Sequence, residues 1–166
     1  MKTAYIGLGS NIDAFSSISE GIEALSKLVD VTGVSKFYLN DAVGSSEGQA
    51  SFLNGILRVQ TDLTARQLKF DVLRVVEKNF GRLDGDHKYD ARRLDIDLIL
   101  FGSEVIDEPD LQIPHPEILT RDFVFVPMFE LVPGLIHPAE GVPLSDLVTV
   151  EAREMKSYSF SRSIMH

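Results

Sequence analysis

The order in which strand-like and helix-like hydrophobic patterns follow one another constrains most strongly what this chain can fold into. Residues 3–8 form an apolar run typical of a buried strand, and Gly9-Ser10-Asn11 after it is typical of a turn. A helical spacing then relates four apolar residues, Ile18, Ile22, Leu25 and Leu28. The chain is therefore predicted to begin with a strand followed by a helix.

Two further strands and a second helix are predicted downstream. Residues 31–39 and 52–61 are rich in β-branched and aromatic residues, and a small, polar stretch separates them. Thr64 and Gln67 match a capping box at the start of a helix that ends at Gly81. The apolar stripe of this helix consists of Leu68, Val72, Val75 and Val76. These patterns predict that two strands and a helix follow the first strand and helix.

A polar run without periodicity, residues 82–91, leads into the next predicted strand. In that strand, apolar residues alternate on one face: Leu94, Ile96, Leu98 and Leu100. The order strand, helix, strand, strand, helix, strand is typical of an α+β ferredoxin-like sandwich, a mostly antiparallel sheet with helices on one side. We predict a hairpin near Val105, short helices in 123–131 around Pro127, and either a late strand or a loose end in 151–166.

Composition narrows the classes of function. The chain has 166 residues, 44% of them hydrophobic, which predicts a single domain over 1–166. A formal net charge of −9 repels nucleic-acid phosphates, so we expect no nucleic-acid partner, and an anionic substrate needs a local positive pocket or metal ions. Without cysteine, signal-like stretch or membrane span, we expect a cytoplasmic protein with no membrane partner. We also expect it to be a monomer.

Asp95 and Asp97 are the strongest candidates for a metal site. Residues two apart on a strand project from the same face, so both carboxylates emerge together. Paired hard oxygen ligands suit Mg²⁺, which fills its other positions with water and substrate phosphates. Arg82 and Arg92 precede the pair, and arginine with carboxylate is the mixture that phosphoryl transfer needs. The alternative interpretation is a solvated strand face.

A second group of residues suits a flat, polar ligand. Phe52 and Asn54 share one strand face, Phe123 lies near Arg121, and His115 stands between two prolines. Aromatic faces with a few hydrogen-bonding groups commonly hold heterocycles, although such aromatic residues are otherwise core. The chain has neither a three-glycine dinucleotide motif nor a Gly-Lys-Ser/Thr loop, so ATP would bind in another way.

Together these segments resemble the hydroxymethyldihydropterin pyrophosphokinase family. The resemblance runs from about residue 4 to 134, and its motifs are AYIGLGSN (4–11), FLN (52–54), RRLDIDLILFG (92–102), PHP (114–116) and RDF (121–123). It implies transfer of diphosphate from ATP to 6-hydroxymethyl-7,8-dihydropterin in folate biosynthesis. The pterin hydroxyl would attack the β-phosphorus and expel AMP.

The resemblance also implies roles for individual residues. Asp95 and Asp97 would hold two Mg²⁺ ions, with Arg82 and Arg92 as further catalytic residues. The nucleotide would contact a second set, Glu77, Arg92, Leu98, His115 and Arg121. The pterin would contact a third set, Asn40, Val43, Phe52, Asn54, Asp95 and Phe123.

The sequence departs from this family in the loop before the acid pair. The family usually carries further arginines and a tryptophan there, whereas this chain has Asp84, Lys88 and Tyr89. The family also has a Thr-Pro element where Asn40-Asp41-Ala42 stands. Two alternatives therefore remain: a catalytically weakened relative that binds pterin or nucleotide, and a ferredoxin-like structural or sensing domain without ATP chemistry.

Overall fold

The computed structural model describes residues 1–40, 51–81, 93–149 and 156–160, and its centre is an antiparallel sheet. Among these residues the sheet has six strands: β1 (Lys2–Ser10), β2 (Asp30–Val34), β3 (Phe37–Asn40), β4 (Phe52–Thr61), β5 (Asp95–Phe101) and β8 (Ser157–Tyr158). The strand order is β5-β1-β4-β3-β8, and β2 also pairs with β4. A separate hairpin joins β6 (Ile106–Glu108) to β7 (Leu111–Ile113), which confirms the predicted hairpin.

The first face of the sheet is covered by the two predicted helices. Helix α1 (Ala14–Ser26) follows β1, and a continuous helix consists of α2 (Ala65–Gln67), a π-helical segment (Leu68–Leu73) and α3 (Arg74–Asn79). Their apolar side chains and those of the strands form one buried core, which includes Ile6, Leu8, Ile18, Ile22, Leu68 and Val76. This arrangement confirms the α+β ferredoxin-like fold.

A further helix packs on the second face of the sheet. Helix α4 (Asp122–Leu131), with the 3-10 helices Pro116–Ile118 and Leu144–Asp146, forms a smaller core. Met128 and Phe125 of α4 are buried in it with Ile56 and Ile99 of the sheet. Pro127 lies inside α4 and does not interrupt it, in contrast to the prediction of short helices. We attribute this to packing, because burial of the apolar side chains outweighs one missing backbone hydrogen bond.

The strand predicted over 31–39 is divided into β2 and β3 at Ser35. The backbone N–H of Ser35 donates to Ile56 O at 2.9 Å, and its Oγ accepts from Ile56 N at 2.8 Å. A side-chain oxygen thus satisfies a backbone group of β4 where a continuous strand would offer a carbonyl. The sequence pattern of β-branched residues does not reveal that a side-chain oxygen takes the place of a backbone carbonyl.

The predicted apolar stripes were wrong at three residues. Leu28 is 54% exposed because α1 ends before it, at Ser26. Val75 is 46% exposed because the π-helical segment shifts the helical phase of the residues after it. Leu100 belongs to the second core, because the β1–β5 register shifts between Tyr5 and Ile6 and turns Leu100 to the opposite face.

The ends of the second helix follow the sequence signals. Thr64 Oγ1 accepts from Gln67 N at 3.1 Å and Gln67 Oε1 accepts from Thr64 N at 2.9 Å, which confirms the capping box. Gly81, with φ +94°, follows the last helical turn.

In the tail, β8 confirms the late strand for two residues. No helix in the described ranges is both long and apolar enough to cross a membrane.

Candidate active site

The two candidate metal ligands lie on the second face of the sheet, beside the part that α4 covers. In the β1–β5 pairing, Asp95 is opposite Gly9 and Asp97 is opposite Gly7. The intervening Ile96 is 4% exposed in the first core, whereas both aspartates are half-buried. The period of the strand therefore separates the carboxylates from the core.

Glycines opposite the aspartates leave space for neighbouring side chains that line a pocket. A Cβ atom at Gly9 would clash with Oδ1 of Asn54, and one at Gly7 would lie 3.2 Å from Cδ1 of Ile99. The resulting aromatic pocket, as we call it, is lined by both aspartates, by the predicted residues Phe52, Asn54 and Phe123, and by Glu117. The structure thus brings together three predicted pterin contacts with both predicted metal ligands.

The other predicted pterin contacts lie beside this pocket or outside the described ranges. Asn40 is opposite Phe52 in the β3–β4 pairing and shares its face. It is 6% exposed, and its Nδ2 donates to Tyr38 O at 3.1 Å. Val43 lies outside the described residues.

A second pocket adjoins the first at Asp97. This pocket, which we call the cationic pocket after Lys69 and Arg74, is also lined by Asp97, Leu98, Asp110 and His115. Two of the predicted nucleotide contacts, Leu98 and His115, are therefore in one place. Lys69 and Arg74 were missed by the sequence reasoning, because five residues along a regular α-helix are about 140° apart around its axis.

His115 is held in a defined orientation. Its Nδ1 accepts from the backbone N–H of Glu117 at 3.2 Å, which leaves the proton of a neutral imidazole on Nε2. Nε2 lies 3.9 Å from Oδ1 of Asp97. Ligand atoms of Asp97, His115 and Glu117 lie within 4.8 Å of one another, so the carboxylates of Asp97 and Glu117 could hold a cation beside the imidazole. Glu117 was also missed by the sequence reasoning.

Glu77 supports the aspartates from behind. Its side chain is fully buried, and its Oε2 accepts from the backbone N–H of Ile96 at 2.8 Å. Its Oε1 accepts from Nη1 of Arg74 at 3.1 Å. Because Ile96 lies between Asp95 and Asp97, the carboxylate of Glu77 fixes the backbone that carries both.

The remaining arginines near the site, three of them predicted contacts, lie in different places. Arg121 lies next to the aromatic pocket, where its Nε is 3.4 Å from Oε2 of Glu117. Arg93, beside the acid pair in sequence, points to the first face and pairs with Glu20 and Ser17 of α1. Arg82 and Arg92 lie outside the described residues.

Comparisons with known proteins agree with one another. The model of the family described as "7,8-dihydro-6-hydroxymethylpterin-pyrophosphokinase (HPPK)" matches residues 5–133. The chain is 38% identical over 147 residues to the 2-amino-4-hydroxy-6-hydroxymethyldihydropteridine pyrophosphokinase of Aquifex aeolicus, covering 88% of this chain and 90% of the relative. It is 33% identical over 141 residues to the Haemophilus influenzae protein of the same name, covering 83% and 86%.

A third relative is longer. The chain is 34% identical over 146 residues to the folic acid synthesis protein fol1 of Pneumocystis carinii, covering 87% of this chain and 19% of that protein. The match to the family model, over residues 5–133, spans the whole of the site described above. This chain therefore belongs to the 7,8-dihydro-6-hydroxymethylpterin-pyrophosphokinase family.

Proposed function

We propose that this chain transfers diphosphate from ATP to 6-hydroxymethyl-7,8-dihydropterin, giving AMP and the pterin diphosphate in folate biosynthesis. The observation that carries this proposal is the position of Asp97, which lines both the aromatic and the cationic pocket. One pocket suits a flat heterocycle and the other suits phosphates. A carboxylate between them is placed where the two substrates must meet.

The aromatic pocket is proposed to bind the pterin. Phe52 and Phe123 offer flat apolar surfaces, and the amide of Asn54 offers both a donor and an acceptor to the polar edge of the ring. Asn40 and Val43 are proposed to complete this site. Asp95, in the same pocket, is proposed to lie near the hydroxymethyl group that reacts.

The carboxylates of Asp95 and Asp97 fit Mg²⁺. They are half-buried hard oxygen ligands on one face of β5, next to a pocket whose walls include Lys69 and Arg74 as well as Asp110. We propose that they hold two ions, which when bound would neutralise phosphate oxygens and orient the diphosphate for transfer. ATP is the diphosphate donor in this proposal.

The side chains of the chain itself mainly position the substrates. The pterin hydroxyl oxygen attacks the β-phosphorus, the bond from that phosphorus to the oxygen retained by AMP breaks, and the hydroxyl proton is released to solvent. His115 is proposed to donate from Nε2 to a phosphate oxygen beside Asp97. We further propose phosphate contacts from Arg82, Arg92 and Arg121 and a nucleotide contact from Leu98, with Glu77 acting through the backbone of Ile96.

The test is release of AMP from ATP and Mg²⁺ with and without 6-hydroxymethyl-7,8-dihydropterin. Pterin-dependent AMP, with the pterin diphosphate as co-product, is the expected result. Pterin binding without AMP would instead support a catalytically weakened pterin-binding relative. Failure to bind both pterin and a Mg²⁺–ATP analogue would support a domain without ATP chemistry.

Gly9→Ala tests the aromatic pocket. The added Cβ would displace the Asn54 amide, so we expect the KM for the pterin to rise about tenfold, the equivalent of one or two lost hydrogen bonds. The KM for ATP should change little, and steady-state kinetics measures both. Gly134→Ala is the matched control, since a Cβ there meets nothing within 4 Å. An unchanged pterin KM would contradict the assignment of this pocket.

We further propose that residues 1–166 form a single domain that acts as a monomer in the cytoplasm, without nucleic acid or membrane as partner. A formal net charge of −9 supports the exclusion of nucleic acid, because phosphate backbones repel such a surface. The shared sheet and its two cores support the single domain.

A further inference from the structure

We propose that a hydrogen bond between Tyr38 and Glu130, beside the aromatic pocket, sets the spacing of the two walls that hold the pterin. One wall is the sheet, which carries Phe52 and Asn54, and the other is the start of α4, which carries Phe123. This inference rests on the proposed function, which it deepens by assigning two positioning residues to the pterin site.

Tyr38 is connected to the sheet wall of the pocket. It is opposite Asn54 in the β3–β4 pairing, and Asn54 and Asp95 are both opposite Gly9 of β1. Residues opposite each other in an antiparallel pair share a face, so the Tyr38 ring lies on the second face with the pocket. The carbonyl oxygen of Tyr38 also accepts from Nδ2 of Asn40 at 3.1 Å. A displacement of Tyr38 would therefore displace two proposed pterin contacts.

Glu130 is connected to the helix wall of the pocket. Glu130 and Phe123 are seven residues apart on α4, which is almost two full turns, so both side chains lie on one stripe about 10 Å apart. The helix is continuous between them and is anchored in the second core by Met128. Fixing α4 at Glu130 therefore fixes the direction in which Phe123 enters the pocket.

The carboxylate of Glu130 joins α4 to β3 through two donors. The hydroxyl of Tyr38 donates to Oε1, and the backbone N–H of Lys36 donates to Oε2 at 3.0 Å. Lys36 follows Ser35, whose N–H and Oγ both bond to Ile56 of β4. The junction of β2 and β3 is therefore held to the sheet on one side and to α4 on the other.

The local chemistry makes the bond between Tyr38 and Glu130 a strong one. Burial raises the pKa of the Tyr38 phenol, and the hydrogen bond to Glu130 raises it further, so the phenol stays protonated and donates at neutral pH. A hydrogen bond to a carboxylate is stronger than one between neutral groups. Glu130 is also the second-last residue of α4, where the helix dipole disfavours a negative charge, and the donors from β3 offset that cost.

Tyr38→Phe tests the inference through the steady-state kinetics of pterin-dependent AMP release. The variant keeps the ring and removes the hydroxyl, so we expect the KM for the pterin to rise about tenfold, the size of one hydrogen bond to a carboxylate. The kcat and the KM for ATP should change little, because the bond fixes the walls of the pterin site and not the cationic pocket. Tyr158→Phe, whose ring packs against the first core, is the matched control.

Variants of Glu130 test the other side of the same bond. Glu130→Ala loses both bonds to β3, so the KM for the pterin should rise at least as much as in Tyr38→Phe. Glu130→Gln keeps a carbonyl oxygen and an amide for the same two partners and should restore most of the pterin affinity. In the double variant, Tyr38→Phe with Glu130→Ala, the KM should equal that of Glu130→Ala alone, because the two residues act through one bond. Glu140→Ala, at an exposed residue, is the control.

Urea denaturation ensures that the variants are compared as folded proteins. An unchanged pterin KM in folded Tyr38→Phe and Glu130→Ala would overturn this inference, while AMP release by the unmodified chain would still support the proposed function. Equal rises in the KM for the pterin and for ATP would also overturn it, because they would indicate a general loosening of the fold. If the unmodified chain releases no pterin-dependent AMP, the proposed function fails and the inference with it.

Discussion

Asp97→Ala is expected to lower kcat for diphosphate transfer by about 100- to 1,000-fold while the protein remains folded. Asp97 is the residue shared by the two pockets, so its loss removes a proposed Mg²⁺ ligand at the point where the substrates meet. Its side chain is half-buried and lies outside both apolar cores. This variant should therefore lose activity while keeping its fold.

The measurement is the rate of pterin-dependent AMP release, with the Mg²⁺ dependence of ATP-analogue binding as a second readout. Asp107→Ala, on the exposed strand β6, removes the same side chain away from both pockets and is the matched control. We expect its rate to equal that of the unmodified chain. A folded Asp97→Ala protein with normal kcat and normal Mg²⁺ dependence would rule out the metal assignment.

Glu77→Ala is expected to lower the free energy of unfolding by about 3 kcal/mol. The substitution leaves the buried N–H of Ile96 without its carboxylate acceptor and creates a cavity beneath β5. A buried donor that loses its acceptor carries the full cost of its desolvation. Because Ile96 separates Asp95 from Asp97, we also expect kcat to fall in the fraction that remains folded.

Urea denaturation measures the change in stability, and Glu77→Gln provides the comparison. Glutamine keeps a carbonyl oxygen for Ile96 at nearly the same volume, so its loss should be about 1 kcal/mol. An alanine variant within about 0.5 kcal/mol of the unmodified chain, the ordinary range of surface substitutions, would show that Glu77 does not support β5 in this way.

Much of the fold could be predicted because its signals are local. β4 occupies the predicted residues 52–61, and the capping box at Thr64 starts its helix as predicted. Hydrophobic periodicity reports which residues face a core, and hydrogen bonds between neighbours in sequence define helix ends. Neither signal requires knowledge of the rest of the chain.

The predictions that were wrong share a different cause. Ser35 divides a strand by bonding to Ile56 of another strand, and Leu100 changes face because β5 shifts register against β1. In α4, burial of Met128 and Phe125 maintains a helix through Pro127. Each outcome depends on groups distant in sequence, which periodicity does not contain.

The candidate site, too, could be predicted only in part from the sequence. The sequence was sufficient to predict that Asp95 and Asp97 project from one face, because alternation is a property of any strand. The meeting of Asp97 with Phe52, Phe123 and His115 required the assembled sheet and helices.

Lys69 and Arg74 were found only in the tertiary structure. Their alignment depends on a π-helical bond that regular helical spacing does not predict, and the role of Glu77 depends on its burial against β5. Short-range stereochemistry thus determined which face each carboxylate takes. Long-range packing decided which side chains surround them, because only the folded chain brings these segments together.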